Sequence, residues 1–420
     1  MTEPVGRRKI AGVGTPSAIA ACGLTLACTL LAAQPSFGQA QRSSIGRFLT
    51  PVFDEESTYT PSSLDVGEDG HIVVAATVPG DLYTVATALV ARFDGAGRKL
   101  WERSPTSRAD LVSTMIARAA PGGDTMVLHD EAPDDQPQLV LLRLAVTGKE
   151  LWRRQLGAGA PSDLLVERDG AAIVSGSARR DKDKGKGKGF DALVMRVTPE
   201  GKVSWRRQIP GARQDGGNTA DLVRAGVTGQ SGGPYLVGGL ADISFTDNNT
   251  VESSRGLLAK LGSDGKILWQ RSLGDEAGLT MVSGLVGMGT GDSYALSLSE
   301  GSGGTQFLQL SRIRPDGQVS WTRPLPGPAD QEINDIARGP NGGLVLAGSE
   351  ADGEGRVAVL VVLDGEGAER ARVNYRGYKM RRALMVRPYP TGGYAVLFEG
   401  AGSSSVGALY LARVDASGRF

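Results

Sequence analysis

Tryptophan occurs five times in this chain of 420 residues, at Trp101, Trp152, Trp205, Trp269 and Trp321, and each stands four residues after a glycine: Gly97, Gly148, Gly201, Gly265 and Gly317. Nine residues before each lies a cation: Arg92, Arg143, Arg196, Lys260 and Arg312. Each cation stands near the end of an apolar run, such as 88–93, so the unit reads as an apolar strand, a tight glycine turn and a second strand carrying the Trp. The spacings between tryptophans are 51, 53, 64 and 52 residues, the length of a four-stranded propeller blade. A recurring unit of this kind specifies a fold before it specifies a function.

Two eroded copies extend the series. Val362, Gly367 and Ala371 hold the cation, turn and Trp positions of a sixth unit, while Arg413 and Gly418 mark a seventh that stops at Phe420 before its Trp position. Upstream of the hairpins, a second pair of strand signals recurs, for example at 70–78, 170–177, 232–240, 342–349 and 392–399. No helical period of useful length follows residue 40. The expected fold is therefore all-β, a seven-bladed β-propeller of four-stranded antiparallel blades. Its units run approximately 62–104, 111–156, 161–210, 216–274, 280–326, 330–377 and 378–420. The seventh lacks its last strand, and residues 44–53 are a strand-like segment left over before the first, so that segment is expected to complete the last blade and close the ring. An open solenoid is the alternative, and it would leave both terminal sheets uncapped.

Residues 1–40 read as an export signal, with Arg7, Arg8 and Lys9 followed by an apolar stretch over 18–33. The general secretory route suits them better than the twin-arginine route, whose motif Ile10 and Ala11 fit poorly. At 16 residues, the apolar run is short of the roughly 20 that a transmembrane span needs. A periplasmic or secreted protein is expected, with no transmembrane anchor. Cys22 and Cys28 are the two cysteines, so the chain after residue 40 has no disulfide, thiol nucleophile or cysteine-bound metal. Cys22 follows a weak lipobox-like Ile19-Ala20-Ala21. Loss of residues 1–40 leaves 43 cations against 45 anions, which argues against nucleic acid as a partner. The unbroken internal period argues for one domain over 41–420, and a monomer is expected.

In the hairpin, pairing Phe93 with Arg98 puts Val90 opposite Trp101, with Arg92 on the diagonal and able to stack on the indole. Repetition of this pair marks it as architecture. His71 and His129 are the two histidines; neither belongs to a metal-binding spacing, and His129 beside Asp130 and Glu131 reads as a surface residue. Gly-x-Ser-x-Gly occurs at 229–233 but, like the other Gly-rich stretches, it leads into no helical pattern, so neither a nucleophile elbow nor a phosphate cradle is expected. The longest departures from the repeat, 129–138, 179–189 and 242–255, all fall between the second and third strands of their units, and so should decorate one rim. Candidate partner-binding residues there are Arg179, Arg180, Lys182, Lys184, Lys186 and Lys188, which would attract an anionic polymer or an acidic protein. Asp242 and Asp247 lie in the polar insertion 242–255, where Asp and Asn oxygens could also meet Ca²⁺.

The hairpins 147–152, 200–205 and 264–269, each Gly-Lys-x-x-Trp, resemble the tryptophan-bearing propeller repeats of the quinoprotein (PQQ-type) class over nearly all of the chain after the leader. That class includes PQQ-dependent dehydrogenases and non-catalytic periplasmic scaffolds. The dehydrogenase branch would imply a central PQQ, a Ca²⁺ held by acidic and amide groups, a catalytic acid and often a vicinal cysteine pair. The missing cysteines and the absence of assignable ligands favour the non-catalytic branch: a scaffold that binds a protein or polymer, with no cofactor called for, and with Ca²⁺ or PQQ left open. A quinoprotein-like dehydrogenase, or another enzyme with its site in the channel, is the competing reading.

Overall fold

The computed structural model describes residues 47–420 except 54–58, 79–86, 106–113, 132–136, 180–189, 211–218, 230–231, 246–250, 275–277, 289, 301–304, 354 and 401–407. The leader, both cysteines and residues 44–46 lie outside the described residues. Alternating apolar residues produce short strands linked by tight turns, and no α-helix occurs among the described residues. In the first unit, Thr60–Val66, Ile72–Val78, Thr87–Phe93 and Lys99–Arg103 pair antiparallel in chain order. Equivalent four-stranded sheets lie within 115–158, 160–209 and 332–374. Two more such groups, within 219–273 and 279–324, are joined by a single parallel bridge between Ser254 and Leu279.

The final sheet combines Met380–Pro388, Tyr394–Gly400 and Ala408–Val414 with a strand from the other end of the chain, Phe48–Pro51. Phe48 lies opposite Arg413, and Pro51 opposite Tyr410. Each sheet is open; none closes on itself.

The third-to-fourth turns share one geometry. Gly97, Gly148, Gly201, Gly265, Gly317, Gly367 and Gly418 have φ between 76° and 84°, a left-handed conformation that costs a side-chain-bearing residue roughly 1 kcal/mol or more. The turn adds a bulge, and this corrects the register read from the sequence: Arg92 pairs with Trp101, and the next pair is Phe93 with Lys99. The one-residue shift recurs after Arg143, Arg196, Lys260 and Arg312. Trp101 therefore stands directly opposite Arg92 rather than opposite Val90.

The repeat cations do not stack on their tryptophans in the described contacts; they turn toward acidic groups in the first-to-second turn of their own unit. Arg143 Nε lies 2.7 Å from Asp124, Arg196 Nε 2.8 Å from Glu167, and Arg312 Nε 2.9 Å from Asp292. Arg92, only 1% exposed, lies 3.4 Å from Asp69 and donates to the Gly123 carbonyl. A buried guanidinium needs such partners, because losing water without compensation costs several kcal/mol. Lys260 differs and donates to the Pro315 carbonyl at 2.8 Å.

The tryptophans hold neighbouring sheets together. Trp101 Nε1 donates to Val146 O at 2.8 Å, Trp205 Nε1 to Ser263 O at 2.9 Å and Trp269 Nε1 to Pro315 O at 3.0 Å, in each case in the next unit. Their rings cover the next turn glycine: a Cβ added to Gly148 would sit 3.0 Å from Trp101, and one on Gly317 2.8 Å from Trp269. The last and first sheets pack in the same way. Phe48 covers Gly97, the Tyr389 hydroxyl donates to Gly70 O, and Leu64, Val74, Leu397 and Leu411 share one buried cluster. Each large aliphatic so buried contributes about 1.5 to 3 kcal/mol.

Candidate functional site

Apart from the single bridge between Ser254 and Leu279, the first strand of each unit is paired on only one side, which leaves backbone N–H groups on the other edge to be satisfied. Polar side chains of the preceding unit accept them. Ser63 Oγ accepts from Ala117 N at 2.8 Å, Asp65 Oδ2 from Ala119 N at 2.9 Å, Thr228 Oγ1 from Gly287 N at 3.1 Å and Asp335 Oδ2 from Val386 N at 2.8 Å. The ends of these strands and the turns that follow line a cavity of about 930 Å³.

One wall of this cavity is charged. Arg118 donates through Nη2 to Asp163 and through Nε to Leu164 O at 2.9 Å; Arg387 donates to Asp335. Asp65 lies in the field of both arginines. Burial nevertheless dominates and holds its carboxyl above the usual aspartate range, against Arg118, Arg387 and the Ala119 N–H. Burial also works against the charge of Arg387, but Asp335, Asp65 and Asp163 outweigh it and raise its pKa. Leu165, Leu285, Val286 and Ile336 also line it. The lining thus mixes apolar and ionic side chains, with ion pairs running between units.

These cavity residues were missed by sequence reasoning. The available signal was an Asp or Arg near the end of an otherwise apolar first strand, as in Leu64-Asp65-Val66 and Ala117-Arg118-Ala119.

Of the residues singled out from sequence, Arg179 ends the strand Ala172–Arg179 and is exposed; its carbonyl accepts from Gln208 Nε2 at 3.0 Å. Arg180, Lys182, Lys184, Lys186, Lys188 and Asp247 lie outside the described residues. Asp242 falls within the strand Tyr235–Phe245, which pairs with Val251–Leu261. Most of the polar insertion therefore lengthens a hairpin instead of forming a loop, since Ile243 and Ser253 gain buried positions on it. The cavity is drawn from the opposite ends of the strands from Arg179 and Asp242, so the structure does not bring it together with these two.

His129 corrects an expectation. It is fully buried in the strand Thr125–Glu131, opposite Met115, because the strand continues through residues that sequence reading assigned to an acidic loop. Burial pushes its pKa down, opposed by the Asp130 carbonyl and Glu131. Among the described residues, no group of three or more His, Cys, Asp or Glu side chains is arranged to hold a metal, and no helix is long and apolar enough to cross a membrane.

No family model matches the sequence, and no curated protein is matched. Solved structures are. The Dos1 propeller aligns at TM-score 0.50 and 11% identity, covering 88% of this chain and 96% of that one. Polysaccharide lyase Uly1 aligns at 0.53 and 10%, covering 88% and 99%. A puromycin hydrolase mutant complexed with PGG aligns at 0.56 and 18%, with 89% of this chain spanning 55% of that one. At these identities the likeness concerns the fold alone, and with the four-stranded antiparallel sheets it makes the chain a β-propeller.

Proposed function

We propose that the four-stranded groups are the blades of a seven-bladed propeller, closed by the strand Phe48–Pro51, and that the protein is exported and serves as a non-enzymatic binding or scaffold module. The observation that carries this reading is how the cavity's charges are engaged: Arg118–Asp163 and Asp335–Arg387 clasp adjacent units, and Asp65 accepts from the next strand. Groups held this way build a rigid frame around the axis, and the frame leaves recognition to the surface. The contacts of Phe48 with Gly97 and of Tyr389 with Gly70 support closure, since a ring leaves no terminal sheet face exposed. The partner is a protein or an anionic polymer, and the rim carrying Arg179 and the lysines 182–188 is one place to meet it.

Thermal shift separates this reading from a quinoprotein. Saturating PQQ with Ca²⁺ should leave the melting temperature unchanged; a rise of several degrees would put a cofactor in the channel. Replacing 180–189 by a short Gly-Ser turn should weaken an acidic protein partner and reduce the salt dependence of its binding.

A further inference from the structure

Downstream of every tryptophan the sequence repeats once more, as Trp101-Glu-Arg103, Trp152-Arg-Arg154, Trp205-Arg-Arg207, Trp269-Gln-Arg271 and Trp321-Thr-Arg323. The residue just after the Trp has a structural task. Arg153 donates to Pro105 O, Arg206 to Leu156 O at 3.1 Å and Gln270 to Pro210 O at 2.9 Å, each reaching back to a carbonyl of the preceding unit. The uniform arginine two residues after the Trp is held more loosely: Arg154 and Arg323 each reach a carbonyl of the next unit, and the other three bond only locally. Arg103, Arg154, Arg207, Arg271 and Arg323 are all exposed, and none forms a salt bridge with a carboxylate among the described residues. Arg103, Arg207 and Arg271 donate only to the carbonyl of the residue before them, at 3.2, 3.0 and 3.1 Å. Arg154 and Arg323 lie over their own indoles, 5.7 and 4.7 Å from the ring centroids, and reach the carbonyls of Glu200 and Glu366.

The contrast with the other repeated cation is what makes these five informative. Arg92, Arg143, Arg196 and Arg312 are matched by acids of their own unit. Selection for packing alone would be met by any long side chain over the indole, whereas five unmatched guanidinium groups, one on the outer strand of each successive unit, make an arc of positive charge on a chain with no net charge.

We infer that this arc is a docking surface for an anionic polysaccharide, a sugar chain bearing carboxylates or sulfates along its length. Charge complementarity selects an anion, and the planar guanidinium fork suits carboxylate and sulfate oxygens. One cation per unit over five units selects an extended polymer, because a flat anionic surface meets only part of an arc. The outer strands disfavour single-stranded nucleic acid, which binds through stacked bases: their aromatic residues are the tryptophans, whose rings cover the turn glycines. Several weak contacts on one chain combine through effective concentration. The inference rests on these five arginines and uses none of residues 180–189.

The test is equilibrium binding of fluorescein-labelled polygalacturonate to the intact protein across a salt series, with heparin as the sulfated probe. Replacing all five arginines by Gln should weaken binding by about 30-fold or more and flatten its salt dependence, as expected when several counterion-releasing contacts are lost. The double variant R207Q/R271Q keeps the folded state, since those side chains bond only locally, and should weaken binding several-fold. Replacing 180–189 by Gly-Ser should leave binding intact. The inference is overturned if the wild type binds neither probe at low salt, if the folded double and quintuple variants bind within twofold of wild type, if the 180–189 replacement alone abolishes binding, or if oligo(dT) binds more tightly than polygalacturonate and is lost from the same variants.

Discussion

Phe48, near the start of the described chain, lies over the turn glycine Gly97 of the first unit as Trp101 lies over Gly148 of the second. It stands opposite Arg413, the position at which Trp101 faces Arg92. An aromatic residue from one end of the chain thus occupies the Trp place that the truncated last repeat lacks. Phe48→Ala should destabilise the protein by about 2 kcal/mol, below the roughly 3 to 5 kcal/mol for removing a buried aromatic ring because Phe48 is only partly buried. Urea unfolding would measure it; a loss below about 0.5 kcal/mol would mean that this ring does not fasten the ends.

Gly97 and Gly122 form a controlled pair. Both have positive φ, 79° and 76°, but an added Cβ meets Phe48 at Gly97 and nothing within 4 Å at Gly122. Gly122→Ala should show the backbone cost alone, about 1 kcal/mol. Gly97→Ala should cost at least about 1 kcal/mol more from overpacking against the ring, and F48A should remove most of that excess in a double-mutant cycle.

Glu167 is a second fastening point. Its carboxylate is fully buried, accepts from the Tyr235 hydroxyl at 2.7 Å and Arg196 Nε at 2.8 Å, and also receives the Gly232 N–H. Glu167→Ala leaves Arg196 with Asp169 but removes the buried acceptor of the Tyr235 hydroxyl and the Gly232 N–H, and should cost about 1 to 3 kcal/mol for each of these two donors. Tyr235→Phe removes one bond to a charged group and should cost about 1.5 to 3 kcal/mol. Equal small losses in denaturant melts would show that the cluster does not couple the third and fourth units.

Asp415 and Asp65 should respond to acid in opposite directions. Burial pushes Asp415 up, but the Ser417 hydroxyl, the Arg419 and Ser417 N–H groups and Arg47 outweigh it, so its pKa is lowered in the fold. The stability it contributes is present above the unfolded value, about 3.9, and is lost as pH falls through the lower folded value. Asp415→Asn should therefore be less stable than wild type at neutral pH, with the gap closing below about pH 4. Asp65 is raised, chiefly by burial, so its ionised form lowers stability at neutral pH and that penalty fades as pH falls through the folded value toward the unfolded one. Asp65→Asn retains an acceptor for Ala119 and should gain on wild type at pH 7 and lose the gain near pH 4. Urea midpoints from pH 3 to 7 would check both signs.

Much of the fold was legible because it is local. The repeat cation, the glycine turn and the Trp lie within nine positions of one another, and alternation at period 2 needs no distant partner. The bulge that sets Arg92 opposite Trp101 was not legible, because Phe93 with Arg98 and Phe93 with Lys99 differ by one residue and either suits the apolar pattern. His129 was misplaced for a related reason: its acidic neighbours suggested a loop, yet the strand runs on past it. The Trp-x-Arg repeat was visible in the sequence throughout. Only bonding in space shows that Arg153, Arg206 and Gln270 reach back to the preceding unit while the final arginine of each copy meets no carboxylate among the described residues.

The sequence by itself determined the period, the four-strand unit and the residues that punctuate it, since these follow from turn stereochemistry and alternating hydrophobicity along the chain. Tertiary structure decided which charges neutralise one another. Arg118 finds Asp163 and Arg387 finds Asp335 across unit boundaries, while Arg207 and Arg271 find no carboxylate among the described residues. The physical reason is that an ion pair depends on distance and desolvation in space, and packing sheet against sheet brings together side chains some fifty residues apart in sequence.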